Sequence, residues 1–360
     1  MVSTSHALPR WTLWTPPAAW VILALSKFVP GNPFVIALVG VALAGAVFSA
    51  VHHAEVVAHR VGEPFGTLVL AVAVTIIEVA LIVSVMLGAG PEKSGLARDT
   101  VFAAVMIVCN GIVGLCLLVG GLRHREQDFQ IRGASAALAV LASLSVLTLV
   151  MPNYTSRELG PMLSPSQLAF AGVSSLVLYG VFVFVQTVRH RDYFLAADSD
   201  GAHAAPPSAR ATLLAAVLLL VCLVAVVLLA KMLSPVVEDA VHRAGAPDAV
   251  VGIVIAGLVL LPEGLAAVRA ARADRLQTSL NLALGSALAS IGLTIPTVAA
   301  VFLWTGGPLA LGIDGRDTVL LVLTLMIGTL TLSTGRTTIL QGAVHLSLFA
   351  AYLFLSFTPG

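Results

Sequence analysis

Charged residues and Pro/Gly-rich breaks cut this 360-residue chain into a succession of apolar runs, each roughly the length that spans a bilayer. A membrane-crossing helix needs about 20 mostly apolar residues. Eleven stretches qualify, at about 12–29, 34–57, 65–88, 100–122, 133–151, 166–188, 211–233, 248–271, 279–304, 317–334 and 337–357. Their apolarity is continuous, whereas the strands of a membrane barrel alternate polar and apolar at every second residue. The expected fold class is therefore an all-α polytopic membrane protein with about 11 transmembrane helices. The first run contains Pro16 and Pro17 and reads as a short or tilted helix. It is not expected to be a cleaved signal peptide, because Arg10 alone is a thin basic region and no small-residue cleavage site ends the run.

Composition agrees and excludes whole classes of function. The chain is 58% hydrophobic and 10% charged, where a soluble domain carries about 25% charged residues. A cytosolic enzyme, a nucleic-acid binder and a disordered scaffold are all ruled out by that shortage. Lys plus Arg number 19 and Asp plus Glu 18, so net charge selects no polyanionic partner. Cys109, Cys116 and Cys222 lie inside apolar runs and read as small packing residues. With eleven crossings, Arg10, Arg60, Arg123 and Arg336 fall on the more basic side, while Lys27, Lys93, Arg243 and Arg316 fall on the other. The positive-inside rule then places the N-terminus in the cytoplasm and the C-terminus outside an inner membrane. The polar connector at 189–210 reads as a cytoplasmic linker.

A repeat sits at the segment edges. EVVAHRVGEP from Glu55 and EDAVHRAGAP from Glu238 share the pattern E-x-x-x-H-R-x-G-x-P. Glu78 and Glu263 then follow at nearly equal distances. The expected organisation is an N-terminal helix in 1–33, a first five-helix repeat in 34–188, the linker 189–210, and a second five-helix repeat in 211–360. Five is odd, so the second copy enters the membrane from the opposite side. Inverted repeats are a signature of secondary transporters, whose sites lie near the midplane.

Of the 18 acidic residues, only Glu78 and Glu263 stand near the centre of an apolar run. A charge there costs about 2.5–3.5 kcal/mol even on lenient scales. Such carboxyls are expected to bind a proton or a cation. Thr75, three residues before Glu78, shares its helical face. Pro262 lacks an N–H, so the carbonyl of Leu258 loses its helical partner and becomes an available oxygen ligand. On the following helices Asn110, with Gly111 and Gly114, is mirrored by Gly285, Ser286, Ser290 and Gly292. Small residues allow close approach, which makes Asn110, Ser286 and Ser290 further candidate ligands. Glu55, His59, Glu238 and His242 are candidates for vestibule groups that attract cations and tune proton access. An alternative uses His52, Glu55 and His59, on one helical face, as a zinc site for an intramembrane hydrolase. A cation channel is a second alternative. No phosphate-binding loop is present in the sequence, so nucleotide-driven pumping has no support.

The run HHAEVVAHRVGEPFGTLVLAVAVTIIEVALIVSVML with ARDTVFAAVMIVCNGIVGLCLLVGG, and the later SPVVEDAVHRAGAPDAVVGIVIAGLVLLPEGLAAV with LNLALGSALASIGLTIPTVA, resemble the two repeats of the calcium/cation antiporter superfamily. More narrowly they resemble the bacterial ChaA-type calcium (sodium/potassium)/proton antiporters, over about 45–357. The resemblance implies ten core helices plus one, no cofactor, and inorganic cations and protons as partners. It also implies that Glu78 and Glu263 bind the cation or protons. Many members carry Gly-Asn four and three residues before each glutamate. Here Val74-Thr75 and Val259-Leu260 stand instead, which leaves fewer neutral oxygens and makes a monovalent cation a serious alternative to Ca²⁺.

Overall fold

A computed structural model describes residues 9–29, 31–62, 65–89, 94–155, 161–195, 206–306 and 309–358. Pro64, Lys93, and 196–205 of the long connector lie outside the described residues. The helices are α1 (Arg10–Phe28), α2 (Pro33–Val61), α3 (Phe65–Ala89), α4 (Leu96–Met106) and α5 (Val113–His124), then α6 (Ile131–Ser145), α7 (Pro152–Thr155) and α8 (Pro165–Phe184). After the connector come α9 (Ala209–Arg243), α10 (Ala249–Arg272), α11 (Leu276–Thr305), α12 (Gly315–Leu332) and α13 (Ile339–Phe357). A π-helical segment, Ile107–Ile112, joins α4 to α5 within one continuous span. Two short strands, β1 (Gln127–Asp128) and β2 (Arg336–Thr337), pair antiparallel. Every expected apolar run is helical. Among the described residues nine helical stretches are long and apolar enough to cross a membrane, and Val69–Val83 within α3 is a shorter apolar one.

The ends follow local chemistry. Asn32 accepts from the N–H of Phe34 at 2.9 Å ahead of Pro33 at the first turn of α2. Ser164 with Gln167, and Thr338 with Gln341, form capping boxes for α8 and α13. The repeated E-x-x-x-H-R-x-G-x-P motif is in both places a helix stop. Gly62 has φ +75° and Gly245 φ +69°, values a side chain disfavours. The second copy ends later than the apolar run suggests, because α9 continues through Pro235 to Arg243.

The chain packs as two compact units. The first joins Met1–Val85 to Asp200–Ala240. In it α1 buries Thr12, Pro16, Ala19, Leu23 and Ser26, spaced three or four apart. The Thr12 carbonyl lies 3.2 Å from Ser49 Oγ and 3.0 Å from His53 Nε2 of α2. Trp20 Nε1 donates to the Val221 carbonyl of α9 at 3.3 Å.

The second unit joins Met86–Ser199 to Val241–Gly360. Its helix ends form two sets. At one end β1 pairs with β2, and Gln127 Nε2 donates to the carbonyl of Ala271 at 3.0 Å. Asn281 Nδ2 donates to the Phe194 carbonyl at that end. At the other end Ala310 N donates to Ser94 O at 3.1 Å, Ile313 N to Leu149 O at 2.8 Å, and Arg98 Nη1 to Gly312 O at 3.1 Å. This is the alternation of loops that successive crossings require.

Candidate functional site

Glu78 lies in α3 of the first unit and keeps 2% of its surface; Glu263 lies in α10 of the second and keeps 8%. Both are inside helices whose neighbouring residues are aliphatic, so both carboxyls are removed from solvent by the fold itself. An ionised carboxylate in such a place needs a proton, a cation or strong donors. Thr75 is buried one turn before Glu78, and its hydroxyl donates to the carbonyl of Ala71 at 2.8 Å. The oxygen keeps its acceptor capacity, which is the capacity a cation uses. In the second unit Pro262 is accommodated without breaking α10, and Leu258 stands one turn before it. On α11, Ser290 is buried and Ser286 half-buried.

Asn110 is fully buried, and it sits in the π-helical segment. Its Nδ2 donates to Thr324 Oγ1 of α12 at 2.8 Å, and its Oδ1 lies 3.2 Å from His345 Nδ1 of α13. The glycines beside it admit α13. A Cβ on Gly114 would stand 2.9 Å from the Cβ of His345, and one on Gly111 3.3 Å from the Phe349 ring. On α11, a Cβ on Gly292 would meet Tyr179 of α8 at 2.7 Å. Gly264, next to Glu263, receives the side chain of Ile112 from the π segment, 3.1 Å from where its Cβ would be.

The vestibule residues lie at helix ends. Glu55 and His59 are exposed near the end of α2. Glu238 Oε1 accepts from Ser234 Oγ at 3.0 Å, and His242 Nε2 lies 3.4 Å from Asp248 Oδ1. The zinc alternative finds no matching geometry. His52 Nδ1 is 3.8 Å from Glu55 Oε2 while its ring packs on Trp11. No three His, Cys, Asp or Glu among the described residues are grouped to hold a metal ion.

One feature went unread in the sequence. Arg98-Asp99-Thr100-Val101 opens α4, and Arg316-Asp317-Thr318-Val319 opens α12. Both face one cavity of about 600 Å³ in the second unit, lined also by Asp248, Asp314 and Ser356. Arg98 Nε donates to Asp99 Oδ1 at 2.7 Å and Arg316 Nε to Asp317 Oδ1 at 3.2 Å. The recurrence of four identical residues after different loops was the available signal.

Helices of membrane length, two of which carry a buried acidic side chain, are features of a polytopic ion transporter. The chain belongs to the sodium/calcium exchanger protein family, which matches it over residues 32–188 and 214–358. It is 53% identical over 365 residues to the putative ionic transporter y4hA of Sinorhizobium fredii (strain NBRC 101917 / NGR234), covering 99% of this chain and 98% of that protein. It is 37% identical over 364 residues to the sodium-potassium/proton antiporter ChaA of Escherichia coli (strain K12), again covering 99% and 98%. Among solved structures, native YfkE superposes with a TM-score of 0.73 at 16% identity, over 96% of this chain and 99% of that one. The H⁺/Ca²⁺ exchanger CAX superposes with 0.72 at 15%, over 97% and 88%. These two establish a shared fold. Family membership makes the protein a multi-pass membrane exchanger and sets aside the hydrolase and channel alternatives.

Proposed function

We propose that the protein is a secondary cation/proton antiporter of an inner membrane, N-terminus in the cytoplasm, and that Glu78 and Glu263 carry the exchange. The observation that supports this is the burial of both carboxyls, to 2% and 8%, inside membrane-length apolar helices. Each is tolerable when protonated or paired with a cation and costly when bare. If the doubly bare state cannot reorient, the carboxyls reach the opposite side only with protons or with cation, and exchange is obligatory. The chain would be arranged as two inverted five-helix repeats, 34–188 and 211–360, with 1–33 as an added helix and 189–210 as connector. Thr75, Leu258, Asn110, Ser286 and Ser290 would supply neutral oxygens, and Glu55, His59, Glu238 and His242 would act at the entrances.

The cargo is Na⁺/K⁺ or Ca²⁺. Two features favour the monovalent ions. Thr75 and Leu260 stand where many members carry Asn, so two amide oxygens are missing near the glutamates where Ca²⁺ wants six to eight ligands. The 37%-identical relative is also a sodium-potassium/proton antiporter by name.

The test is transport in proteoliposomes under an imposed pH gradient, one cation at a time. Glu78→Gln and Glu263→Gln should each abolish cation-driven proton movement at unchanged membrane abundance. Gln keeps shape and one oxygen but neither ionises nor releases a proton. Exchange at the wild-type rate in both variants would place the site elsewhere.

A further inference from the structure

A buried histidine that the exchange chemistry does not use stands in the last helix. His345 keeps 2% of its surface, the side chains of its hydrogen-bond network, Asn110, Thr324 and Thr331, keep 0%, 1% and 4%, and the Cys109 backbone in the π-helical segment also bonds the ring. His345 Nδ1 is 3.2 Å from Asn110 Oδ1 and Nε2 is 3.1 Å from Thr331 Oγ1. Asn110 Nδ2 donates to Thr324 Oγ1 at 2.8 Å and approaches Met106 Sδ at 3.8 Å. A thioether accepts and cannot donate, which sets the NH₂ of the amide on that side and its oxygen toward the imidazole. An amide oxygen only accepts, so Nδ1 carries the hydrogen. Nε2 of a neutral ring then accepts from the Thr331 hydroxyl. The Thr324 hydroxyl, accepting from Asn110, lies 3.5 Å from Met106 Sδ as a donor. The chain from Thr331 to Met106 is thus satisfied throughout with no net charge.

Its location gives that chain a use. Asn110 belongs to the π-helical segment, and such segments occur frequently at functional sites. Two residues on, Ile112 fills the space above Gly264, the neighbour of Glu263. The bond to His345 therefore fixes the segment on which the Glu263 turn rests. The imidazole reaches Asn110 because Gly114 lets α13 come this close.

We propose that His345 is a positioning residue: a neutral imidazole that, through Nδ1 and Asn110, holds the π-helical segment against the Glu263 turn and so sets the affinity of the exchanger for its cation. The proposal rests on the reading of Glu263 as a binding carboxyl. Asn and Gln separate its parts, since an Asn amide occupies the place of Nδ1 and a Gln amide the place of Nε2. The experiment is cation-dependent proton exchange in proteoliposomes, with KM, kcat and pH profile measured for H345A, H345N and H345Q. Loss of a supporting partner of a ligand site typically weakens affinity about 10- to 100-fold, so H345A and H345Q should raise KM about tenfold at little cost in kcat. H345N should restore KM to near the wild-type value, with the pH profile unmoved.

Equal KM in all three variants and wild type would overturn the proposal. So would H345N that keeps KM but loses kcat and flattens the pH profile, which would make the ring a proton carrier. If H345A does not fold, the contrast of H345N with H345Q decides alone. Glu263→Gln in the same assay keeps the two readings apart: an active Glu263→Gln sinks the carboxyl assignment, whatever KM the His345 variants show.

Discussion

Arg316 donates from Nη1 to the carbonyl oxygen of Leu355 at 2.7 Å, joining the first turn of α12 to the last turn of α13. Its Nε holds Asp317 in the same geometry, and a cation over a helix C-terminus is favourable. Arg316→Met should lower stability by about 1 kcal/mol, the net worth of one such bond at a half-exposed position. Arg316→Lys should recover only part, because one ammonium nitrogen cannot occupy both positions that Nε and Nη1 take. Thermal unfolding in detergent reads both; identical transitions in wild type and both variants would show that the bond adds nothing.

Protons and cations that compete for the same carboxyls impose a sign on the pH dependence. If Glu78 and Glu263 carry the exchange as proposed, apparent KM for the cation should fall as pH rises and level off once proton competition ends. Thr75→Ala should raise KM about fivefold, the equivalent of one contact of about 1 kcal/mol, without changing the proton-to-cation ratio. Stoichiometry from paired flux measurements checks the second statement. A KM that does not move with pH would contradict the first.

The proposed inversion of the two repeats would place His59 and His242 on opposite faces of the membrane. Single cysteines at these positions should react with impermeant reagents from opposite sides of oriented vesicles. Labelling of both from one side would remove the argument for inversion.

Two glycines should respond oppositely to one methyl group. A Cβ on Gly114 would meet the His345 Cβ at 2.9 Å, whereas nothing lies within 4 Å of one on Gly285. Gly114→Ala should cost about 1–3 kcal/mol through overpacking. Gly285→Ala should be neutral or stabilising by up to about 1 kcal/mol, because Ala is the better helix former. Unfolding of both variants in parallel provides the comparison.

The sequence shows the spans because a bilayer requires apolar length, a requirement that each segment meets by itself. It shows Glu78 and Glu263 for the same reason, since a carboxylate amid Ile, Val and Leu is costly wherever the neighbours lie. Partnerships are less legible. Asn110 and His345 are 235 positions apart, and neither helix carries a mark that names the other. Gly111 and Gly114 announce close packing but not its partner, and the partner is α13. Tyr193 and Phe194 read as linker, yet Phe194 is buried against Phe182, with ring centroids 5.8 Å apart, and Arg132 lies over the Tyr193 ring. Gly62 and Gly245 show why one repeat survives comparison of the two halves. Positive φ at a helix end leaves glycine as the natural residue in both.

The π-helical turn in Ile107–Ile112 has a consequence for how one span can serve two neighbours. Each residue of an α-helix advances about 100° around the axis, so one surplus residue turns everything after it by that angle. Above the turn α4 addresses α10, where Gly252 meets the Asp99–Thr100 backbone. Below it α5 presents Gly114 and Gly121 to α13. Plain α-winding of the same residues would swing those glycines off α13, although neither apolarity nor length would change. The span is a crankshaft, and its offset is one amino acid.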